Sequence, residues 1–303
     1  MAAIITSKFR LNNAEQFTES FSESAPTAYY LFIGRSSTWQ TDVDVQGNSI
    51  VEGTDSTPPT PNDDVVSEFY NYDEILGLKK IASSDVSQVI PKRTWTTGTT
   101  YDMYEHNISA SNTTASSATN LFDAAFYVIN SSNAVYKVIE NDGATASTSE
   151  PTSTSNSIFS TADGYRWKYM YSLSTTQVTN FVSTDFMPVS TNSTVSSAAV
   201  NGALDTVLIA AGGSNYDVSG GATSGTITAV PIRGDGSGGI ASATLTSGSV
   251  SAVTITTAGT GYTYAYIRNA DLIAATNAGG NGSGVNLNVI IPPKGGHGKD
   301  AVK

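Results

Sequence analysis

The segment Asp163-Gly164-Tyr165-Arg166-Trp167-Lys168-Tyr169-Met170-Tyr171-Ser172-Leu173 restricts the fold more than any other stretch of the chain. It opens on Asp-Gly, a turn dipeptide, and then alternates. Tyr165, Trp167, Tyr169, Tyr171 and Leu173 fall on one side; Arg166, Lys168, Met170 and Ser172 fall on the other. A strand turns successive side chains to opposite faces, so the pattern predicts a strand with one heavily aromatic face. Such a face brings a large apolar area, and its hydroxyls and indole N–H need partners if buried. Two consequences follow: a core strand of a β domain, or an aromatic platform for sugars or nucleic acid.

The charge balance separates them in part. The net charge is −11, which argues against nucleic acid or an anionic membrane as the main partner, since both select for basic surfaces. Lys79-Lys80 and Lys92-Arg93 are too small to reverse that balance. The chain has no cysteine, so a disulfide framework, a thiolate metal site and a Cys nucleophile are all excluded. Met1 to Arg10 lacks the basic-then-apolar layout of a signal peptide, and no apolar run approaches the roughly 20 residues that span a bilayer. Only 14% of residues are charged, while tyrosine and threonine favour strands and glycine and asparagine favour turns. The profile fits an extended or multi-subunit β-rich structural protein better than a compact cytosolic enzyme.

In chain order, residues 3–10 read as a first strand, and Asn12 or Asn13 as the cap of a short helix reaching about Phe21. Ala28 to Gly34 is a dense apolar strand, followed by Trp39 in a polar loop. Thr57-Pro58-Pro59-Thr60-Pro61 is a stiff connection, because prolines remove donors and fix φ. A helix is expected near 63–73, capped by Asn62 or Asp63. Strands are expected at 76–82, 88–95 and 101–108. A hairpin around Asn130-Ser131-Ser132-Asn133 is also expected, with Ser/Thr-rich surface loops at 109–120 and 141–160.

After Val189 the composition shifts. Residues 191–202 read as a linker, and residues 203–298 as a Gly-rich β module carrying an internal repeat. Val207-x-Ile209-x-x-x-Gly213-x-x-Tyr216 returns as Val253-x-Ile255-x-x-x-Gly259-x-x-Tyr262. Gly234-Asp235-Gly236-Ser237-Gly238 returns as Gly280-Asn281-Gly282-Ser283-Gly284, at the same offset of 46 residues. Residues 299–303 read as a tail, the opening of an element cut short.

No catalytic constellation emerges. A hydrolytic triad needs a histidine base, and only His106, in an expected strand, and His297, in a Gly-rich tail, are present. Gly236-Ser237-Gly238 lies between strands, not on the strand-to-helix turn of a nucleophile elbow, and no helix follows the glycines to bind a phosphate. Asp205, Asp217 and Asp235 beside glycines invite comparison with calcium loops, but the nine-residue calcium repeat is missing. Asp63-Asp64 and Asp73-Glu74 read as helix ends or solvated surface sooner than as a glycosidase pair. The sequence therefore carries no catalytic, cofactor-binding or metal site and no small-molecule substrate.

Four segments in order resemble one family, the dimeric baseplate wedge subunit of contractile-tailed phages of the T-even type. They are Ile5-Thr6-Ser7-Lys8-Phe9-Arg10; Phe32-Ile33-Gly34-Arg35-Ser36 followed by Trp39; Val89-Ile90-Pro91-Lys92-Arg93-Thr94-Trp95; and Asp163 to Tyr169. The resemblance covers roughly residues 4–190 and leaves out the Gly-rich repeat. It implies a β-sandwich core over residues 1–190 with short helices and long polar loops, and no enzymatic activity. It also implies a homodimer that joins other wedge proteins in the virion's tail baseplate, made in the host's cytoplasm and moving with the baseplate during infection. Arg35, Trp39, Lys92, Arg93 and Trp95 are the interface residues this reading selects, since Arg and Trp are enriched among interface anchors. The rival reading is a carbohydrate-binding module of a tail fibre or spike, which requires a row of exposed aromatics.

Overall fold

The structure, a computed structural model, describes residues 7–34, 41–43, 45–51, 53–54, 56–57, 75–218, 220–276 and 281–301. The fold is mainly β, sandwich-like, with several small sheets and a few short helices. The chain divides into two compact units, Met1–Ser87 and Gln88–Lys303. The helix expected near 63–73 lies outside the described residues.

In the first unit, helix α1 spans Ser7–Glu19, so the strand expected over residues 3–10 is corrected: its described part, from Ser7 on, is helical. Asn12 and Asn13 sit inside this helix and do not cap it. The helical phase comes from aromatic packing at its end. Phe17 and Phe21, one turn apart, both meet Tyr29, with ring centroids 5.0 Å and 4.9 Å away, although Phe17 stays partly exposed. Strand β1 (Tyr29–Gly34) pairs antiparallel with β4 (Ile75–Ile81), and β2 (Thr41–Val43) with β3 (Ser49–Val51).

The second unit holds an antiparallel four-stranded sheet in the order β6 (Tyr127–Ile129), β7 (Ala134–Glu140), β9 (Arg166–Ser172), β8 (Phe159–Ser160). The hairpin around 130–133 forms as expected, with Asn133 at φ 59°, a conformation asparagine tolerates. The aromatic strand is β9, and its rings are core. Tyr165, Trp167, Tyr169 and Tyr171 are all buried. Strict alternation fails in one place, however. Tyr136 faces Tyr169 while Val135 faces Tyr171, so Met170 is an extra residue in a β-bulge. Tyr165, Trp167 and Tyr169 join one core with Tyr101, Tyr104, Phe126 and Tyr136. Tyr171 and Leu173 join the opposite one, with Ile129, Val135 and Met187. One inserted residue reverses a period of two, so the single aromatic face becomes two.

Polar handles on these rings are mostly satisfied. Trp167 Nε1 donates to Thr161 Oγ1 at 3.0 Å, and the Tyr171 hydroxyl donates to the Pro188 carbonyl at 3.1 Å. Two aspartates pin the long loops. Buried Asp102 accepts from the Ser116 N–H and hydroxyl and from the Ala125 N–H. Asp163 accepts from Ser147, Thr148, Ser149 and Thr161. Asp102 thus ties the loop at 109–120 to the segment that covers the aromatic core, and Asp163 ties the loop at 141–160 to the turn that leads into β9.

Residues 88–95 give only the short strand β5 (Val89–Pro91), which pairs with β10 (Phe186–Pro188) and not with β4. Residues 101–108 are not a strand; Tyr101, Met103 and Tyr104 instead cover the aromatic core. After β9, helix α2 (Thr175–Phe181) is capped by Ser174 with Gln177 in a reciprocal box. Within 191–202, helix α3 (Ser193–Ala198) is capped by Asn192 and buries Val195 in the aromatic core.

The Gly-rich repeat closes on itself. Strand β11 (Val207–Ser214), which leads to Tyr216, pairs with β17 (Ser283–Val289), which overlaps the second glycine cluster. Strand β15 (Ser249–Thr257), which leads to Tyr262, pairs with β14 (Ile240–Thr246), which follows the first cluster. β12 (Gly225–Pro231) completes that sheet on the other side of β14. Each tyrosine therefore seats on the glycines of the other repeat. A Cβ on Gly236 would stand 2.5 Å from the Tyr262 ring, and one on Gly282 would stand 2.2 Å from the Tyr216 ring. The two sockets nucleate two cores, one around Tyr262 and one around Tyr216.

Candidate interaction surfaces and a buried charge cluster

Of the five residues selected as interface anchors, Arg35 and Trp39 lie outside the described residues. Trp95 turns inward: it packs on the aromatic core, and its Nε1 donates to Ser147 Oγ at 3.0 Å. Its indole is half-buried, and its backbone N–H donates to the Ile129 carbonyl at 2.8 Å. Lys92 and Arg93 are held by their backbones. The Lys92 N–H donates to the Asp185 carbonyl at 2.7 Å, and the Arg93 carbonyl accepts from the Ile129 N–H at 2.8 Å. Their side chains are half-exposed at the rim of the unit, so Lys92, Arg93 and Trp95 form one short stretch whose outer part is accessible.

A larger apolar surface lies in the first unit, where sequence reasoning saw only a dense strand. The β1–β4 ribbon is two-stranded, and it presents apolar side chains on both faces. Tyr30, Leu31, Phe32, Ile33, Leu76 and Leu78 are between 45% and 68% exposed. An isolated two-stranded ribbon is marginal in water, and a contiguous apolar patch of this kind marks an interaction surface. The signal was present in Tyr29-Tyr30-Leu31-Phe32-Ile33: an unbroken apolar run demands cover on both faces.

The second unit holds a cluster that sequence reasoning missed. Lys137 sits on β7 in the apolar run Ala134-Val135-Tyr136-Lys137-Val138-Ile139, and Lys168 is its cross-strand partner on β9. Lys137 is 3% exposed and Lys168 is 6% exposed, so two cations are buried side by side. The Lys137 ammonium lies 3.8 Å from the Tyr104 ring centroid, and Lys168 Nζ donates to the Asn156 carbonyl. His297 is also buried, with its ring edge-on to Tyr104 at 5.0 Å. Its Nε2 is 3.9 Å from Asp205 Oδ2, and its Nδ1 has no hydrogen-bond partner. Arg166 completes the edge, donating to Glu140 at 3.0 Å and to the Asp205 carbonyl at 2.8 Å.

Burial dominates the titration of this group. It pushes Lys137 down to about 7, against the attraction of Asp205, and lowers Lys168 in the same way. It pushes Asp205 up to about 6 despite Arg166, Lys168 and Lys137. His297 is driven well below its ordinary value by burial and then by the two lysines. The arrangement lacks a nucleophile paired with a base, and it lies under the segment that follows β17, so its chemistry is that of a joint between chain segments.

Residues 3–140, a little under half of the chain, match the family model Phage-Gp8, described as Bacteriophage T4, Gp8. This match supports a structural baseplate protein of a T4-like phage, and with it a place in the virion's tail. A search of the curated proteins finds no match.

Proposed function

We propose that the chain is a baseplate wedge subunit that works by forming interfaces, with a second copy of itself and with neighbouring wedge proteins, and that moves as a body when the baseplate rearranges. The observation that carries this reading is the match over residues 3–140, a span that contains the exposed β1–β4 ribbon. Six apolar side chains on that ribbon supply the kind of surface that a stable interface buries, and Lys92, Arg93 and Trp95 offer a second, more polar one. Arg35 and Trp39 belong to the same proposal. So does the division into a wedge-like part through residue 190, a connection at 191–202 and the Gly-rich module at 203–298.

The test is a quantitative mass-spectrometric comparison of purified baseplates with purified tail tubes and fibres. The reading expects the chain in baseplates, and an Ile33→Lys, Leu78→Lys variant that folds but drops out of them. Recovery of the chain in fibres alone would favour the carbohydrate-binding alternative.

A further inference from the structure

We propose that the segment from Pro293 to Lys299 is a releasable strap, seated by His297 over the Lys137–Lys168 pair, and that acidification unseats it and uncovers that face of the aromatic sheet. The geometry carries this. Within Lys294-Gly295-Gly296-His297-Gly298-Lys299, both lysines are exposed and the other three residues are glycines, so His297 is the one side chain that can anchor the segment. Gly295, Gly296 and Gly298 have φ of 89°, 93° and 93°, values that a residue with a Cβ adopts only under strain. Two hydrogen bonds reach the segment from outside, near its ends: the Gly295 N–H donates to Asn201 Oδ1 at 2.8 Å and Ser196 Oγ donates to the Lys299 carbonyl at 2.7 Å. Upstream, Ile290 and Ile291 are fixed in the two neighbouring cores, so the strap has a firm root.

The seat suits a neutral ring only. His297 faces Lys137 on β7, Lys168 on β9, Asp205 in the loop before β11 and Tyr104 in the loop after residue 100. Helix α3 contributes Val195, which is apolar. A proton on His297 would place a third cation beside two lysines, with one carboxylate to balance them and no hydrogen-bond acceptor at Nδ1.

The pH sense follows from linkage. The released histidine takes a proton near its ordinary value, whereas the seated one resists it, so seating is lost as pH falls through the mid-6 range. Lys137 acts in the same direction over higher pH, since its seated form holds its proton only up to about 7. Asp205 opposes: burial raises it to about 6, so its own proton uptake favours the seat. Asp205→Asn therefore removes the opposing group.

Hydrogen exchange by mass spectrometry on the full chain, from about pH 8 to about pH 5.5 and corrected for intrinsic rates, tests this. The amides of Gly296 and Lys299, which donate to the Pro293 and Gly296 carbonyls, report the strap, and peptides of β7 and β9 report the fold. The expected result is a loss of strap protection of about tenfold or more on acidification while β7 and β9 stay protected. His297→Phe, with a ring that takes no proton, should keep the strap protected throughout, and Asp205→Asn should release it at higher pH. Unchanged protection in the natural chain, or release of the Phe variant at the same pH, would overturn the proposal. Should His297→Phe not fold, Lys168→Met decides: release must move to lower pH, and an unmoved midpoint contradicts the strap.

Discussion

The aromatic sheet and the Gly-rich module solve the same problem, burying large rings among polar strands, in opposite ways. The sheet spreads the task over many side chains. Tyr101, Tyr104, Phe126, Tyr136, Tyr165, Trp167 and Tyr169 share one core, and carboxylates at Asp102 and Asp163 fasten the loops that cover it. The module concentrates it in two tyrosines, each set in a socket made by leaving side chains out. In the first, the loss of one ring leaves neighbours that can share the gap. In the second, a single added methyl group has nowhere to go.

The largest effect tests the cores themselves. Trp167→Ala and Tyr216→Ala should each cost about 3–5 kcal/mol in urea unfolding, the ordinary range for a buried aromatic. Trp167→Ala should fall toward the low end, because the rings of Tyr101, Tyr136 and Tyr165 pack against it and can share the gap, and Tyr216→Ala toward the high end. The reverse order would undo the contrast. Next come the sockets. Gly236→Ala and Gly282→Ala should each cost about 1–3 kcal/mol by overpacking against Tyr262 and Tyr216. Gly77→Ala, where an added Cβ meets nothing within 4 Å, is the control and should be near neutral.

A smaller effect separates the two regions by charge. Lys137 is a buried cation beside a second lysine, whereas the buried charge of the module, Asp271, is paired with Arg233 and Arg268. Its folded form gives up its proton at about 7, below the ordinary lysine value, so an unfolded chain binds more protons between the two. Stability should therefore rise with pH across that window, and Lys137→Met should flatten the rise; melting temperatures at three pH values would show it. Asp163 behaves in the opposite region of pH. Burial pushes it up, but the hydrogen bonds from Thr161, Ser149, Thr148 and Ser147 outweigh that and hold it at about 2. Its contribution is present above the ordinary aspartate value and lost as pH falls toward 2.

The smallest and sharpest comparison is between hydroxyls. The Tyr262 hydroxyl accepts from the Gly239 N–H and donates to the Ile232 carbonyl, both at 3.1 Å. The Tyr136 hydroxyl is buried without a partner. Tyr262→Phe should cost about 1–3 kcal/mol because it strands the Gly239 N–H, and Tyr136→Phe should be neutral or stabilising by calorimetry.

Much of this is legible in the sequence itself. The strand at 166–172 and the hairpin before it follow from period and turn residues, and the repeat's offset of 46 residues marks a Gly-rich β module of two units, though not the sockets in which each tyrosine meets the other unit's glycines. What stayed hidden depends on single residues and distant partners. Met170 as a bulge sends Tyr171 to the other core, which no alternation rule could say. Helix α1 owes its phase to a tyrosine ten residues beyond its end. Trp95, with the composition of an interface anchor, is held by a serine 52 residues away. His297, in a Gly-rich tail, is buried because its neighbours are glycines and its ring packs edge-on against Tyr104. The apolar run at 29–33 signals a strand that needs cover on both faces, but only the three-dimensional structure shows that its side chains stay exposed.

The most direct measurement is sedimentation of the purified full chain, alone and mixed in turn with purified wedge proteins of a T4-like phage. The account predicts the mass of a dimer for the chain alone and co-sedimentation with at least one wedge protein, both weakened by Ile33→Lys with Leu78→Lys. A strict monomer that co-sediments with no tail protein would contradict it.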